Sequence, residues 1–297
     1  MTITTSARFS PIIAGTMKWG QWGSKFDTPS YESIIEDCIG IGVTSFDHAD
    51  IYGHYTTEAE FGAVLKNKPH LRQKMQLISK CGIKMITPNR PDHKIKSYDT
   101  SFEHIIASAE RSLKNLHTDH LDLLLIHRPD PLMDPDAIAR AFEYLHQQGK
   151  VLFFGVSNFN ASQAAMIRDR YPIMCNQIEA SLFHLPPFLD GTIDYSISKK
   201  LTTMAWSPLG GGALWGDVQD ERVVRIKQVA AGLCEKYQCS DDQLYLAWLM
   251  KHPAGIIPVL GTSKMDRIKS AFASKSISIE REEWFQLWSA STGVDVP

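Results

Sequence analysis

Val43-Thr-Ser-Phe-Asp47-His48-Ala-Asp50-Ile51-Tyr52-Gly53, continued by Thr57-Glu-Ala-Glu60, decides how the chain is arranged. Val43 to Phe46 is rich in β-branched and aromatic residues and reads as a strand. It stops at four polar residues, Asp47, His48, Asp50 and Tyr52. Thr57 with Glu60 has the Ser/Thr-x-x-Glu form of a capping box, so a helix is expected to open there. The order is strand, polar loop, helix, and in α/β proteins loops at strand C-termini build the sites. A carboxylate and a phenol five residues apart at a strand end exceed what a turn requires.

The same unit recurs along the chain. Apolar runs beginning at residues 11, 43, 76, 121, 151, 173, 201 and 256 read as eight strands. Helices are expected after Thr28-Pro29, Thr57, Thr100-Ser-Phe-Glu103, Asp134-Pro135 and Ala161, then over 219–252 with a break near Cys239-Ser240. Residues 185–200 read as helical in part, and helices at 264–274 and near 280–290 close the chain, the first capped by Ser263-x-x-Asp266. Residues 84–100 read as a polar loop. Near-continuous apolar strands alternating with helices imply a buried parallel sheet. Eight units in 297 residues match a (β/α)8 TIM barrel, with a doubly wound open sheet as the alternative. No linker, low-complexity segment or short repeat divides residues 1–297, so a single barrel domain is expected, with extra loops and a C-terminal helix and tail at the mouth.

Bulk composition excludes several classes. The chain is 43% hydrophobic and 22% charged, with a formal net charge of −2, so no basic surplus points to nucleic acid or an acidic membrane surface. No apolar run is long enough to span a bilayer, and the first residues do not resemble a signal peptide. Five cysteines without a Cys-x-x-Cys imply free thiols and a cytoplasmic protein.

A barrel reading demands chemistry at the C-terminal ends of several strands. Those ends carry Asp47 with Tyr52 beyond it, Lys80, His127, Ser157-Asn158, Gln177, Trp206-Ser207 and Gly261-Thr262-Ser263. The set Asp47-x4-Tyr52-Gly, Lys80, Leu-Ile-His127-Arg-Pro, Gly155-Val-Ser-Asn-Phe159 and Asn176-Gln177, in this order on these elements, resembles the aldo-keto reductase superfamily, and within it the bacterial YdhF-type branch. The resemblance covers roughly residues 10 to 275. It implies a catalytic tetrad of Asp47, Tyr52, Lys80 and His127 acting on a small-molecule carbonyl substrate. Tyr52 would donate a proton, and the Lys80 ammonium, oriented by Asp47, would lower the phenol's pKa from about 10. His127 would orient the carbonyl.

The resemblance also implies NADPH as cofactor, held across the mouth rather than by a Gly-x-Gly-x-x-Gly turn, which is missing after the first strand. Ser157, Asn158 and Gln177 would hydrogen-bond the nicotinamide carboxamide, with Trp206 where the family stacks an aromatic ring, and Thr16, Met17 and Asp47 would also contact the cofactor. Ser207, Pro208, Leu209, Gly210 and Gly211 would line the pyrophosphate. Gly261, Thr262, Ser263, Lys264 and Arg267 would hold the adenosine phosphate at a helix N-terminus. Leu260-Gly261-Thr262 departs from the family's Pro-Lys-Ser and removes one expected lysine. Trp19, Tyr55, Phe159 and Trp215 are the candidate substrate contacts, and a monomer or weak homo-oligomer is expected. Two rival readings are a cofactor-binding subunit without turnover and a metal-dependent hydrolase using His48, Asp50 and His127. No metal is expected, since a closed set needs three or more ligands.

Overall fold

In the structure, a computed structural model describing residues 9–215 and 220–297, the strands in chain order are β1 (Ile13–Gly15), β2 (Ser45–Asp47), β3 (Gln76–Cys81), β4 (Ile83–Lys84), β5 (Ser97–Tyr98), β6 (Leu121–Ile126), β7 (Val151–Ser157), β8 (Cys175–Glu179), β9 (Thr202–Trp206) and β10 (Ile257–Leu260). Eight of them close into a barrel, in the order β1, β2, β3, β6, β7, β8, β9, β10, every neighbouring pair parallel. The remaining two, β4 and β5, form an antiparallel hairpin that overlaps the stretch read as a loop and begins one residue before it. The helices are α1 (Thr28–Ile41), α2 (Tyr52–Tyr55), α3 (Thr57–Asn67), α4 (Phe102–Leu116), α5 (Pro135–Gln147), α6 (Ala161–Arg168), α7 (Thr192–Lys199), α8 (Glu221–Tyr237), α9 (Asp241–Met250), α10 (Met265–Ala273) and α11 (Arg281–Thr292).

Side chains alternate across a strand, and that period places the site. Ile13, Ile78, Leu123, Leu125, Cys175, Met204 and Val259 fill the barrel's inside. Leu77, Leu124, Ile126, Phe154 and Val156 point outward into the core under the helices. Two residues beyond the inward set lie Lys80 after Ile78, His127 after Leu125, Gln177 after Cys175 and Trp206 after Met204. The pleat therefore aims these four at the C-terminal mouth.

Three expected helix caps are not formed, and two of them are replaced by others. On α1 the cap is Asp27, accepting from Ser30 N at 3.0 Å, with Thr28 and Pro29 already in the first turn. The Thr57–Glu60 box is not formed, because Glu60 accepts from the Tyr31 hydroxyl at 3.0 Å and α3 has no side-chain cap. On α4 Ser101 takes the cap, since the Thr100 hydroxyl donates to Asp130 at 3.1 Å. On α3 and α4 a tertiary partner has captured the side-chain oxygen that the local pattern assigned to the helix. At the C-terminus, α11 packs on α8 and α9, with Trp248 and Trp284 stacked at 4.8 Å. Each of these indoles donates to the other's carbonyl at 3.0 Å. The last turn of α11 reaches the mouth, where the Ser291 hydroxyl bonds Leu182 in the loop after β8.

α3 and α4 meet at Gly62, where an added Cβ would lie 1.9 Å from the Asn115 carbonyl oxygen. Gly62→Ala is expected to destabilise by about 3 kcal/mol or more through overpacking. Gly40→Ala, where no atom lies within 4 Å of the new Cβ, is expected to be neutral or stabilising by up to about 1 kcal/mol. Urea unfolding midpoints of the two variants check this, and a native midpoint for Gly62→Ala would refute the close approach.

Candidate active site

Lys80 is only 1% exposed. Its ammonium donates to Asp47 Oδ2 at 2.7 Å, to the His48 carbonyl at 2.8 Å and to the Tyr52 hydroxyl at 3.2 Å. Three donors thus meet three acceptors. Asp47 is held in turn: Gln177 Nε2 donates to its Oδ1 at 2.8 Å, and its carbonyl accepts from Thr16 N and Oγ1, both at 3.0 Å. Burial works against the Lys80 charge, but Asp47 and Tyr52 outweigh it and hold the ammonium above its ordinary pKa. For Tyr52 the balance runs the other way from the sequence expectation. Burial pushes the phenol up, Lys80 offsets only part of that, and the net shift is upward.

His127 stands across from the phenol, with ring centroids 6.2 Å apart and planes nearly perpendicular. Burial, with the charges of Lys80 and Arg128, keeps its pKa well below the ordinary value, so the imidazole is neutral. Its Nδ1 is buried without a partner among the described residues. His48 and Asp50 do not join it as metal ligands. His48 Nδ1 pairs with the Thr16 hydroxyl at 2.9 Å, and its ring packs edge-on to Phe61 at 4.6 Å. No group of three or more His, Cys, Asp or Glu placed to hold a metal occurs among the described residues.

The backbone just after Tyr52 is left-handed at three successive residues: Gly53 (φ 60°), His54 (φ 60°) and Tyr55 (φ 70°). For non-glycine residues this conformation is costly and persists only when neighbours enforce it. The β4–β5 hairpin supplies the enforcement. Asn89 Nδ2 donates to the His54 carbonyl at 2.8 Å. The Tyr55 hydroxyl accepts from Met85 N at 3.0 Å and donates to the Ile83 carbonyl at 3.3 Å, while Arg90 lies 4.5 Å over its ring.

Around the mouth, Asn158 (φ 62°) donates to Ser157 Oγ at 2.8 Å and accepts from the Trp206 indole at 2.9 Å, so these three residues fix one another. Ser207, Gly210, Gly211 and Gly212 follow with positive φ. Pro208 is buried and Leu209 packs against the core, which leaves their main chain as their contribution. Met17 is half-buried, and Thr16 is buried with its hydroxyl engaged. Gly261, Lys264 and Arg267 are exposed at the start of α10. The expected Ser263–Asp266 cap is not made: Ser263 meets the Ser24 hydroxyl at 2.5 Å, and no side chain caps α10. Uncapped N–H groups beside Thr262, Lys264 and Arg267 fit a phosphate.

Two candidate substrate contacts belong elsewhere. Trp19 is fully buried among Phe26, Tyr31, Phe46 and Phe61, donating to the Thr262 carbonyl at 3.2 Å. Phe159 is core as well, its carbonyl accepting from Asn176 at 2.8 Å. An aromatic near a strand end satisfies either role in sequence, and burial decides. Tyr55 is tied to the hairpin, and the side chain of Trp215 lies outside the described residues. Three mouth residues escaped the sequence reading: Trp22, 6.1 Å from the Tyr52 ring; Arg128, 5.4 Å over the Trp206 ring; and Glu179, inward on β8. Arg128 and Glu179 were findable by stepping one residue past His127 and two past Gln177, whereas nothing local separates Trp22 from Trp19.

The sequence matches the aldo/keto reductase family model over residues 11–291. It is 44% identical to the oxidoreductase YcsN of Bacillus subtilis, covering 98% of this chain and 97% of that protein. It is 44% identical to the oxidoreductase YdhF of Escherichia coli, covering 97% and 96%. Identity to the 6-dehydroglucose reductase of Agrobacterium fabrum is 39%, covering 94% of each. In fold, the chain is similar to a crystal structure of the thermostable aldo-keto reductase Tm1743 in complex with the inhibitor epalrestat, with a TM-score of 0.79 at 22% identity over 98% of both chains.

Burial beside Lys80 pushes the His48 pKa from 6.5 down to about 3. The folded state thus prefers neutral imidazole. Its stability is whole above pH 6.5 and falls as pH drops toward 3, because only the unfolded chain takes up the proton. In His48→Gln the loss of stability between pH 6 and pH 4 is expected to be shallower by about 1.4 kcal/mol per pH unit, one proton's worth. Urea unfolding at pH 7, 5.5 and 4.5 measures it, and parallel slopes would remove His48 from the balance.

Proposed function

The chain belongs to the aldo/keto reductase family, a family of oxidoreductases, and from that premise we propose that it reduces an aldehyde or ketone to the alcohol with NADP(H). One observation carries the reading: the buried Lys80 ammonium touches both Asp47, at 2.7 Å, and the Tyr52 hydroxyl, at 3.2 Å, with neutral His127 facing the phenol. The dinucleotide, when bound, supplies a hydride. The chain's own residues supply everything else. Tyr52 gives its proton to the carbonyl oxygen, and burial ensures that it holds that proton at neutral pH. Lys80 stabilises the phenolate this leaves, a charge developing in a site with little water. Asp47, fixed by Gln177, keeps Lys80 aimed at the phenol. His127 donates a hydrogen bond to the carbonyl oxygen, and as a neutral group it brings no second cation beside Lys80. The fixed Trp206 indole is the surface against which a nicotinamide would stack, and the start of α10 would take the adenosine phosphate. One relative is named 6-dehydroglucose reductase, so a sugar-derived carbonyl belongs among the substrates tried.

A carbonyl panel followed by loss of NADPH absorbance, with NADH alongside, tests the reading. Turnover with no carbonyl would favour a cofactor-binding subunit instead. Tyr52→Phe is expected to lower kcat by at least about a hundredfold while leaving cofactor affinity nearly intact. A variant retaining a tenth of native kcat would show that Tyr52 is not the acid. Lys80→Met is expected to shift the alkaline limb of the pH–rate profile upward, the direction in which the phenol moves without its ammonium. Arg267→Ala is expected to weaken NADPH by about tenfold or more and NADH hardly at all, since only the former carries the extra phosphate. Equal losses for both cofactors would put the phosphate elsewhere.

A further inference from the structure

Arg128 directly follows His127 and is half-buried. Its guanidinium lies 5.4 Å from the centroid of the Trp206 ring. Arg128 extends from the end of β6 and Trp206 ends β9, three places round an eight-stranded barrel, so the side chain reaches across the mouth rather than along its rim. There it makes no hydrogen bond and no ion pair among the described residues; Tyr98, Tyr52 and Glu179 act on it only through space. Of the other groups of the mouth, Lys80 is answered by Asp47, Glu179 lies 3.9 Å from His184, and His127 is neutral. A half-desolvated cation without a partner is costly to hold unless something arrives to pair with it. A contact with an aromatic ring uses none of the guanidinium's N–H groups in hydrogen bonds, and its N–H edges are the ones that grip an oxyanion through two parallel bonds.

We propose that Arg128 binds an oxyanion carried by the substrate, so that the preferred substrates are carbonyl compounds bearing a carboxylate or comparable group in addition to the carbonyl. This rests on the reading of the mouth as a carbonyl-reductase site. Arg128 directly follows His127, whose ring faces that of Tyr52 at 6.2 Å, so one small molecule can place its carbonyl at the phenol and its anion at the guanidinium. Neutral hydroxyls would also accept from the guanidinium, but a hydrogen bond to a charged partner is the stronger one.

Two matched pairs separate these chemistries: 4-oxobutanoate against butanal, and glucuronate against glucose, the second pair sharing its polyol and differing in the carboxylate. The native protein is expected to favour the anionic member of each pair in kcat/KM by about tenfold or more. In Arg128→Gln that preference is expected to fall to near unity, chiefly through KM, and Arg128→Lys to restore part of it. Equal preference in the native protein, or an equal loss for both members of a pair in Arg128→Gln, would overturn the proposal, as would a loss confined to NADPH affinity. Absence of turnover with every carbonyl would count against the reductase reading alone. Calorimetric titration with glutarate then decides Arg128: binding that Arg128→Gln abolishes supports it, and binding equal in both, or missing from the native protein, overturns it.

Discussion

A positive charge sealed inside a barrel must be answered from within it. An unpaired buried ammonium is untenable, and removing one partner of a buried pair is far more damaging than replacing both. Lys80 therefore dictates its surroundings. β2 must end on a carboxylate, the His48 carbonyl must turn inward and the Tyr52 hydroxyl must complete the set. Strand register makes this arrangement available. Asp47 lies opposite Ile78 in the β2–β3 ladder, and Lys80 is the next inward residue, one step nearer the mouth. Gln177, from the far side of the barrel, holds the carboxylate's other oxygen, so opposite walls are joined through one carboxyl group.

The same burial acts differently on each titratable neighbour. It favours the protonated phenol of Tyr52 and the neutral imidazoles of His127 and His48, while carboxylate contact keeps Lys80 charged. Groups so different in charge and so close together form a division of labour that one environment imposes on dissimilar side chains. In this chain the division depends less on the ammonium lowering the phenol than the residue types alone imply. Lys80 and burial pull Tyr52 in opposite directions, and the effect of Lys80 is largest on the phenolate, after the proton has gone.

Much of the fold was legible because strands and helices differ in period, and a buried parallel strand declares itself as an apolar run with a polar end. The tetrad was legible for the same reason, each member standing at or just past such an end. Features set by contacts distant in sequence were not legible. Glu60 caps no helix because Tyr31 claims it, and Thr100 is claimed by Asp130. Trp19 and Trp22 share one short loop, yet the first enters an aromatic core and the second faces Tyr52. The hairpin spanning 83–98 is two residues deep on each side, too short for any alternation to register. Gln177 was placed at the mouth, but its tie to Asp47 arises from barrel closure and not from its neighbours in sequence.

The left-handed turn after Tyr52, clasped by Asn89 and Tyr55, also bears on how such a site can diversify by descent. Asp47, Lys80 and Gln177 stand on strands, whose register a single insertion would ruin. The hairpin is a loop excursion between β3 and α4, where insertions disturb little. Asn89 and Arg90, midway along it, hold the turn. A change of length elsewhere in the excursion can therefore alter the rim of the mouth while the ties to His54 and Tyr55 persist.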